Sequence, residues 1–296
     1  DAVILHLPQL EASGIALRAR LLRKPTVLTY HSELTLPKSP LSKVVERVVV
    51  GSNHVAAMLA NVLCAYTEDF ARHSRLLSPY LNKVRYILPP VAMPLIEPSD
   101  AHAWRTNHGI NAQTPVIGVA CRLAADKGIE FLLEALPRLR LEYPNLRVLH
   151  AGPVNDVVGE ERYRQRLRPI LRRFADFYTC LGTLQPDEMA KFFSNCDVHV
   201  LPSINNTETF GLVQIEAALC GTPTVASALP GVRVPTQMTG MGLTVPPRDP
   251  VSLANGILEV LAEPTKFLRP RGPIAAEFSP DVAAERYEGI FRELNA

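Results

Sequence analysis

The sequence predicts an α/β protein with two parallel sheets that face each other across a cleft. Short runs of β-branched and other apolar residues alternate with helical stretches along the chain, which is the pattern of βαβ units. The segment 89–98 holds four of the 26 prolines and divides this alternating pattern in two, as a hinge between domains would. At 296 residues, the chain also has the length of about two domains of roughly 150 residues.

The pattern of the first part of the chain predicts that residues 1–93 form an incomplete domain. Strands are predicted at 3–7, 26–30 and 84–88, with a helix at 11–23 between the first two. The apolar run 44–50 leads to Gly51-Ser52-Asn53-His54, which has the composition of a helix N-cap. Because a buried strand begins almost at the first residue, we expect the earliest elements of this domain to be missing.

The pattern of the second part predicts that residues 94–279 form a complete domain and that residues 280–296 form a final helix. Strands are predicted at 116–120, 146–151, 179–181, 197–201 and 223–227, and helices at 160–173, 187–194 and 212–219. Apolar residues from Ile129 to Leu139 follow helical spacing, although Pro137 should kink or break that helix. The amphipathic final segment follows Ser279, a suitable cap, and we expect it to pack back toward the first domain.

The composition excludes several classes of protein. Hydrophobic residues make up 47% of the chain and charged residues 20%, so it can bury a sizeable core and is not disordered. The formal charge of +2 argues against a dedicated nucleic-acid binder, which would carry a strongly basic face. No apolar run approaches the ~18 residues that a membrane span requires.

The cysteines indicate neither a metal site nor a disulfide framework. The five of them are scattered, and no C-x-x-C pair occurs. Reduced thiols fit a cytoplasmic protein. We therefore predict no metal ligands and a cytoplasmic location, with peripheral contact at the inner membrane face if the protein acts on a lipid.

The most informative motif is Glu208-Thr-Phe-Gly-Leu-Val-Gln-Ile-Glu216. A helix should start near Gly211 and end at Gly221, which is a common residue type after a helix C-terminus. Its first peptide N–H groups, from Phe210 to Leu212, have no partner within the helix and favour a phosphate. The two carboxylates could reach two hydroxyl-bearing parts of one ligand, although either one alone is more often a structural residue.

A second motif precedes it in the run from Val116 to Gly128. A predicted strand leads directly into a loop that carries Arg122 and Lys127. Ligands of open parallel sheets bind at the carboxyl ends of strands, so both cations are placed where a diphosphate would bind. The glycine patterns of nicotinamide-dependent oxidoreductases and P-loop NTPases are absent, which weakens both of those classes.

These motifs resemble the donor domain of retaining glycosyltransferases of family 4, which have the GT-B fold of two Rossmann-like domains. The resemblance rests on Arg122, on Lys127 with Gly128, on Gly182, on the run 208–225 and on Thr239-Gly-Met-Gly. It is close over 116–250 and looser elsewhere. One departure is Cys121, which stands where a glycine before the arginine is common.

The resemblance implies a role for each site residue. Arg122 and Lys127 would hold the donor diphosphate, Glu208 would contact sugar hydroxyls, and Glu216 would take the ribose. The segment Thr209, Phe210, Gly211 and Leu212 would bind sugar and phosphate oxygens, and the backbone near Leu184 the base. His31, in Thr-Tyr-His-Ser-Glu, would reach the transferred sugar from the other domain, while the seven remaining histidines are assigned structural roles.

The implied activity is metal-independent transfer of a hexose, with retention of anomeric configuration, from a nucleotide-diphosphate sugar to an unknown sugar or lipid-linked acceptor. No cofactor is expected beyond the donor, a UDP- or GDP-sugar. Two alternatives stay open. The chain could be a non-catalytic module that binds a sugar nucleotide, or another GT-B enzyme such as a nucleotide-sugar epimerase or a phosphorylase, because fold alone does not decide among them.

Overall fold

The first of two parallel sheets is built from the N-terminal part of the chain. The structure, a computed structural model, describes residues 1–35, 40–155 and 157–295. Four strands pair in the order β1-β2-β3-β4: β1 (Val3–Leu7), β2 (Thr26–Tyr30), β3 (Val62–Ala65) and β4 (Val84–Tyr86). All three pairings are parallel, so the carboxyl ends of these strands lie at one edge.

Three helices connect these strands: α1 (Ala12–Leu21), α2 (Pro40–Leu59) and α3 (Glu68–His73). The N-cap predicted at residues 51–54 is wrong, because α2 continues through all four. The polar side chains of Ser52 and Asn53 instead form hydrogen bonds with the backbone of the segment before α1. Ser52 Oγ donates to Leu10 O at 2.6 Å, and Asn53 Oδ1 accepts from Gln9 N at 3.3 Å.

The second sheet has six parallel strands in the order β10-β9-β8-β5-β6-β7. They are β5 (Val116–Ala120), β6 (Arg147–Ala151), β7 (Tyr178–Gly182), β8 (Val198–Leu201), β9 (Thr224–Ser227) and β10 (Gly242–Val245). The chain runs from β5 outward to β7 and then returns to place β8 on the other side of β5. The carboxyl ends of β5 and β8 therefore form the switch point at which open α/β sheets bind ligands.

Helices cover both faces of this sheet. They are α4 (Pro98–Asn107), α5 (Ile129–Glu142), α6 (Glu161–Arg173), α7 (Pro186–Ser194), α8 (Leu212–Leu219), α9 (Val234–Thr239), α10 (Pro250–Ala262) and α11 (Arg271–Glu277). One core lies between the sheet and α5, α6 and α10; others lie under α4, α7, α8 and α11. No helix in the described part of the chain combines the length and apolarity needed to cross a membrane.

Pro137 does not break its helix, contrary to the prediction that it would kink or end it. Helix α5 continues past the proline to Glu142. Its apolar face is fully buried at Leu132, Leu136 and Leu139. This packing compensates for the hydrogen bond that the proline removes, since tertiary burial contributes more to a helix in a protein than local preference does.

The final helix, α12 (Pro280–Asn295), packs against the first sheet. Ala283 and Ile290 lie in one cluster with Val27 and Val62. The hydroxyl groups of Tyr287 and Thr29 are 3.0 Å apart. The hydroxyl of Ser279 accepts from Val282 N at 3.2 Å, as predicted for its cap, and Ala296 lies outside the described residues.

We predict that Gly128→Ala lowers the free energy of unfolding by about 1–3 kcal/mol. Gly128 has a φ of +63°, and a Cβ atom there would lie 2.2 Å from the carbonyl oxygen of Pro202. Gly51→Ala is the control, because no atom lies within 4 Å of its Cβ position in α2. That substitution should stabilise by about 0.5–1 kcal/mol. Urea unfolding measures both changes, and a Gly128→Ala variant as stable as the wild type would contradict the close approach of Gly128 to Pro202.

Candidate active site

Two loops meet where β5 and β8 end. The loop after β5 spans residues 121–128, and the loop after β8 spans 202–211. They are joined directly, because Ile204 N donates to Asp126 O at 3.0 Å. The adjacent pairing of β5 and β8 thus brings together two segments that are distant in sequence.

The closest contact between the loops is an ion pair. Lys127 Nζ lies 2.6 Å from Glu208 Oε2, and the two side chains are only 16% and 18% exposed. Asp126 adds a second carboxylate 3.7 Å from the same ammonium group. Burial lowers the pKa of Lys127, but the charges of Glu208 and Asp126 outweigh it and hold this pKa above its ordinary value. Lys127 is therefore a partly buried cation at neutral pH.

Arg122 lies in the same loop and is more accessible. Its guanidinium donates from Nη2 to both carboxylate oxygens of Asp126, at 3.0 and 3.2 Å. The Arg122 side chain is 44% exposed. Asp126 therefore holds both predicted cations, and the hydroxyl of Thr207 donates to it from the opposite loop at 3.3 Å.

The segment that enters α8 follows directly after Glu208. Phe210 is buried against the rings of Tyr66 and Phe278. Gly211 has a φ of +80°, and a Cβ atom there would lie 2.6 Å from the side chain of Leu201. Glycine is therefore the residue that fits this turn. Helix α8 then begins at Leu212, as predicted, with its first peptide N–H groups at this end.

The two remaining donor-side candidates, Glu216 and Leu184, lie on other elements than the two loops. Glu216 sits in the second turn of α8, and burial raises the pKa of its carboxyl group. Leu184 follows β7, two strands away from β5, and packs partly buried in the cluster around Trp104. The structure thus brings Arg122, Lys127, Glu208 and the start of α8 together and leaves Leu184 at the outer strand.

His31 approaches from the first sheet, directly after β2. Its Nδ1 atom is 2.7 Å from the Tyr66 hydroxyl, and its Nε2 atom is 2.8 Å from Nδ1 of His6. Burial, and then the neighbouring His6, lower the pKa of His31. The hydroxyl of Thr209 donates to the carbonyl oxygen of His31 at 2.7 Å. His31 is therefore linked directly to the segment that carries Glu208.

A second link between the two parts is an ion pair at Asp69, on α3. Both its oxygens accept from the guanidinium of Arg233, and Gly231 N donates to Oδ2 at 2.8 Å. Burial raises the pKa of Asp69, but these hydrogen bonds and the charge of Arg233 outweigh it, so the pKa lies below its ordinary value.

Sequence reasoning missed several of these residues. Asp126 lies directly before Lys127, and a carboxylate beside two cations was an available signal. His6 was assigned a structural role, yet it contacts His31; its place near the end of the strand next to β2 was a weaker signal. The Asp69–Arg233 pair spans 164 residues, and no local pattern indicates it.

The fold and this geometry define an α/β protein with two parallel sheets, which carries two cations, Arg122 and Lys127, at the switch point of its second sheet. The family model for glycosyl transferases group 1 matches residues 100–272, which is more than half of the chain. The chain therefore belongs to this family. This confirms the family resemblance that the sequence motifs indicated.

Curated relatives give the same family assignment. A D-inositol 3-phosphate glycosyltransferase from Geodermatophilus obscurus is 34% identical over 222 residues, covering 72% of this chain and 48% of that protein. A GDP-mannose-dependent monoacylated alpha-(1-6)-phosphatidylinositol monomannoside mannosyltransferase from Corynebacterium glutamicum is 28% identical, covering 66% and 51%. The chain spans about half the length of the curated relatives it matches.

Solved structures confirm the predicted GT-B fold class. A sucrose-phosphate synthase from Thermosynechococcus elongatus superposes with a TM-score of 0.78 at 23% identity, covering 98% of this chain and 73% of that one. HepE of Anabaena in complex with UDP-glucose superposes with a TM-score of 0.76 at 21% identity, covering 98% and 78%. At sequence identities of 21–23%, this likeness shows a shared fold.

We predict that Asp69→Asn lowers the free energy of unfolding at pH 7 by about 1 kcal/mol, as expected for hydrogen bonds to a charged group. Because folding lowers the pKa of Asp69, its contribution is present above the unfolded-state pKa and is lost as the pH falls through the folded-state value. The difference between wild type and variant should therefore shrink from pH 7 to pH 3.

Urea unfolding at both pH values measures this difference. Asp1→Asn is the matched control, since the Asp1 side chain is 91% exposed in its pair with Lys24 and should contribute nothing measurable. An Asp69→Asn effect of equal size at pH 7 and pH 3 would contradict an electrostatic link.

Proposed function

We propose that the chain forms the donor-binding part of a retaining glycosyltransferase, which moves a hexose from a nucleotide-diphosphate sugar to an acceptor. The observation that carries this proposal is the contact of Lys127 with Glu208 at the start of α8, on the β5–β8 switch point. A cation, a carboxylate and a helix N-terminus at one place suit a ligand with both phosphate and hydroxyl groups.

The diphosphate would bind to the cations and to peptide N–H groups. Lys127 supplies a point charge, and Arg122 supplies a planar fork that can hold two phosphate oxygens. The amides of Phe210, Gly211 and Leu212 lie at the positive end of α8. These groups would neutralise the charge of the diphosphate without a metal ion.

The carboxylates would hold the two sugars. Glu208, beside Lys127, would accept hydrogen bonds from hydroxyl groups of the transferred hexose, with Thr209 next to it. Glu216, farther along α8, would accept from the ribose, and the backbone near Leu184 would contact the base. His31 would face the hexose from the other sheet, with its place fixed by Tyr66 and by the Thr209 hydroxyl.

Transfer breaks the bond between the anomeric carbon and the phosphate oxygen while the acceptor oxygen attacks from the same face. Positive charge develops on the sugar and negative charge on the leaving diphosphate. Lys127, Arg122 and the α8 amides would stabilise the second charge, because they are already oriented before it forms. The departing phosphate itself would take the acceptor proton, so no protein base is needed.

UDP and GDP are the proposed leaving groups. The Corynebacterium relative is named for its dependence on GDP-mannose, and HepE was solved with UDP-glucose. The proposed acceptor is a sugar or a lipid-linked group, and the second would require peripheral contact with a membrane. A cytoplasmic location is likewise a proposal.

Thermal unfolding with UDP, GDP and ADP tests the site. A ligand present at 100 times its dissociation constant adds about 2.7 kcal/mol to the free energy of unfolding. We expect UDP or GDP to stabilise the chain and then to appear as product from the matching nucleotide sugar and an acceptor. Stabilisation without turnover would favour the non-catalytic module, and no stabilisation by any of the three would refute the proposal.

We predict that Lys127→Ala lowers turnover about 100-fold, as loss of one preorganised charge donor does, with a smaller loss of donor affinity. Initial-rate kinetics with a nucleotide sugar measure both quantities. Lys191→Ala is the control, because that lysine also pairs with a glutamate, at 2.8 Å, but on the surface of α7. Unchanged turnover in Lys127→Ala would remove this residue from the mechanism.

We predict that Glu216→Gln separates the ribose contact from the phosphate contacts. The variant should bind UDP or GDP about tenfold more weakly, as expected from loss of a charged hydrogen bond. Its affinity for pyrophosphate should not change, whereas Arg122→Ala should weaken the binding of both the nucleotide and pyrophosphate. Titration calorimetry measures the affinity of each variant for each ligand, and an equal loss for pyrophosphate in Glu216→Gln would rule out a ribose role.

A further inference from the structure

The pairing of β5 with β6 lacks one donor just beyond the strands. Cys121 N donates to Ala151 O at 3.0 Å, and Leu123 N donates to Pro153 O at 2.9 Å, so the parallel pattern continues past both strand ends. In this pattern the carbonyl of Cys121 would accept from the peptide N–H of residue 153. That residue is a proline and has no N–H group.

The side chain of His150 takes the place of this donor. Its Nε2 atom lies 2.9 Å from the carbonyl oxygen of Cys121. A carbonyl oxygen only accepts, so the proton is on Nε2, and Nδ1 is the acceptor of the neutral ring. The hydroxyl of Tyr178 lies 2.8 Å from Nδ1 and donates to it. A chain of two hydrogen bonds thus runs from β7 through β6 to the end of β5.

Burial favours the protonation states that this chain requires. His150 is fully buried, and burial lowers its pKa to about 4, which keeps the ring neutral. Burial raises the pKa of Tyr178, so its hydroxyl keeps the proton that it donates. Gly152 adds a steric limit, because a Cβ atom there would lie 2.0 Å from the same Cys121 oxygen.

The peptide that His150 holds is the one that leads into Arg122. If this part-buried carbonyl lost its donor, it would be left without a partner or would rotate away, and the following loop would move with it. Resting on the proposed function, we propose that His150 is a positioning residue: held by Tyr178, it orients the Cys121 peptide and with it the loop that presents Arg122 and Lys127 to a diphosphate.

The test compares three variants. His150→Phe removes both ring nitrogens, and His150→Gln keeps an N–H donor at a similar distance. His199→Phe is the matched control, because His199 is also fully buried in this sheet, on β8, where its Nδ1 atom is 3.1 Å from the Thr224 hydroxyl. Urea unfolding and calorimetric titration with UDP and GDP are measured for each.

We expect His150→Phe to raise the dissociation constant of the nucleotide about tenfold, as loss of one buried hydrogen bond at a binding loop would. His150→Gln should restore it to within about threefold. His199→Phe should lose stability without losing affinity. Equal affinities in His150→Phe and His199→Phe would overturn the proposal, and so would a nitrogen NMR spectrum that places the His150 proton on Nδ1.

Failure of the proposed function would be seen separately. If the wild-type chain binds neither UDP nor GDP, the donor-binding proposal fails, and amide hydrogen exchange then decides the role of His150. His150→Phe must accelerate exchange at the amides of Cys121 and Leu123, and His199→Phe must not. Equal exchange in the two variants would refute the positioning role.

Discussion

The contact between Lys127 and Glu208 is the interaction on which the rest of the site depends. Without Lys127, Glu208 would carry an uncompensated charge in a largely buried position, which is costly, and without Glu208 the lysine would keep only the more distant carboxylate of Asp126. Together they satisfy each other, but only because β5 and β8 are neighbours in the sheet. Under the proposed function, a phosphate that binds Lys127 would replace one anionic partner by another, so the lysine would keep a partner throughout.

The segment around Glu208 is held from both parts of the molecule. Lys127 holds it from the second sheet, and Thr209 joins it to the carbonyl of His31 after the first. Phe210 packs against Tyr66, whose hydroxyl also contacts His31. The Asp69–Arg233 pair adds a second connection. Any change in the separation of the two sheets must therefore alter the segment that carries Glu208.

Much of the fold could be predicted because buried strands and amphipathic helices leave local patterns. Strand β5 and helix α8 begin and end at the predicted residues, the first as a fully buried apolar run and the second between two glycines. The site loops were predictable for the same reason, since both follow predicted strands. The sequence could therefore suggest that the residues of both loops lie at the same edge of the sheet.

Other features could not be predicted because tertiary contacts determine them. The polar residues Ser52 and Asn53 look like a helix start, yet they lie inside α2 and bond to the segment before α1. Pro137 looks like a helix end, yet burial carries α5 past it. The partner of Asp69 is 164 residues away, and nothing near either residue in the sequence indicates the pairing.

Two basic side chains in the second part of the chain, one fully buried and one partly buried, show how the neighbouring groups determine protonation. Burial disfavours the protonated form of both His150 and Lys127. His150 has a carbonyl and a hydroxyl beside it, which suit a neutral ring, and its pKa falls to about 4. Lys127 has two carboxylates beside it, and its pKa rises instead. The carboxylates of Glu208 and Asp126 therefore keep Lys127 protonated in a partly buried position. Under the proposed function, this is the charge that an anionic ligand would bind.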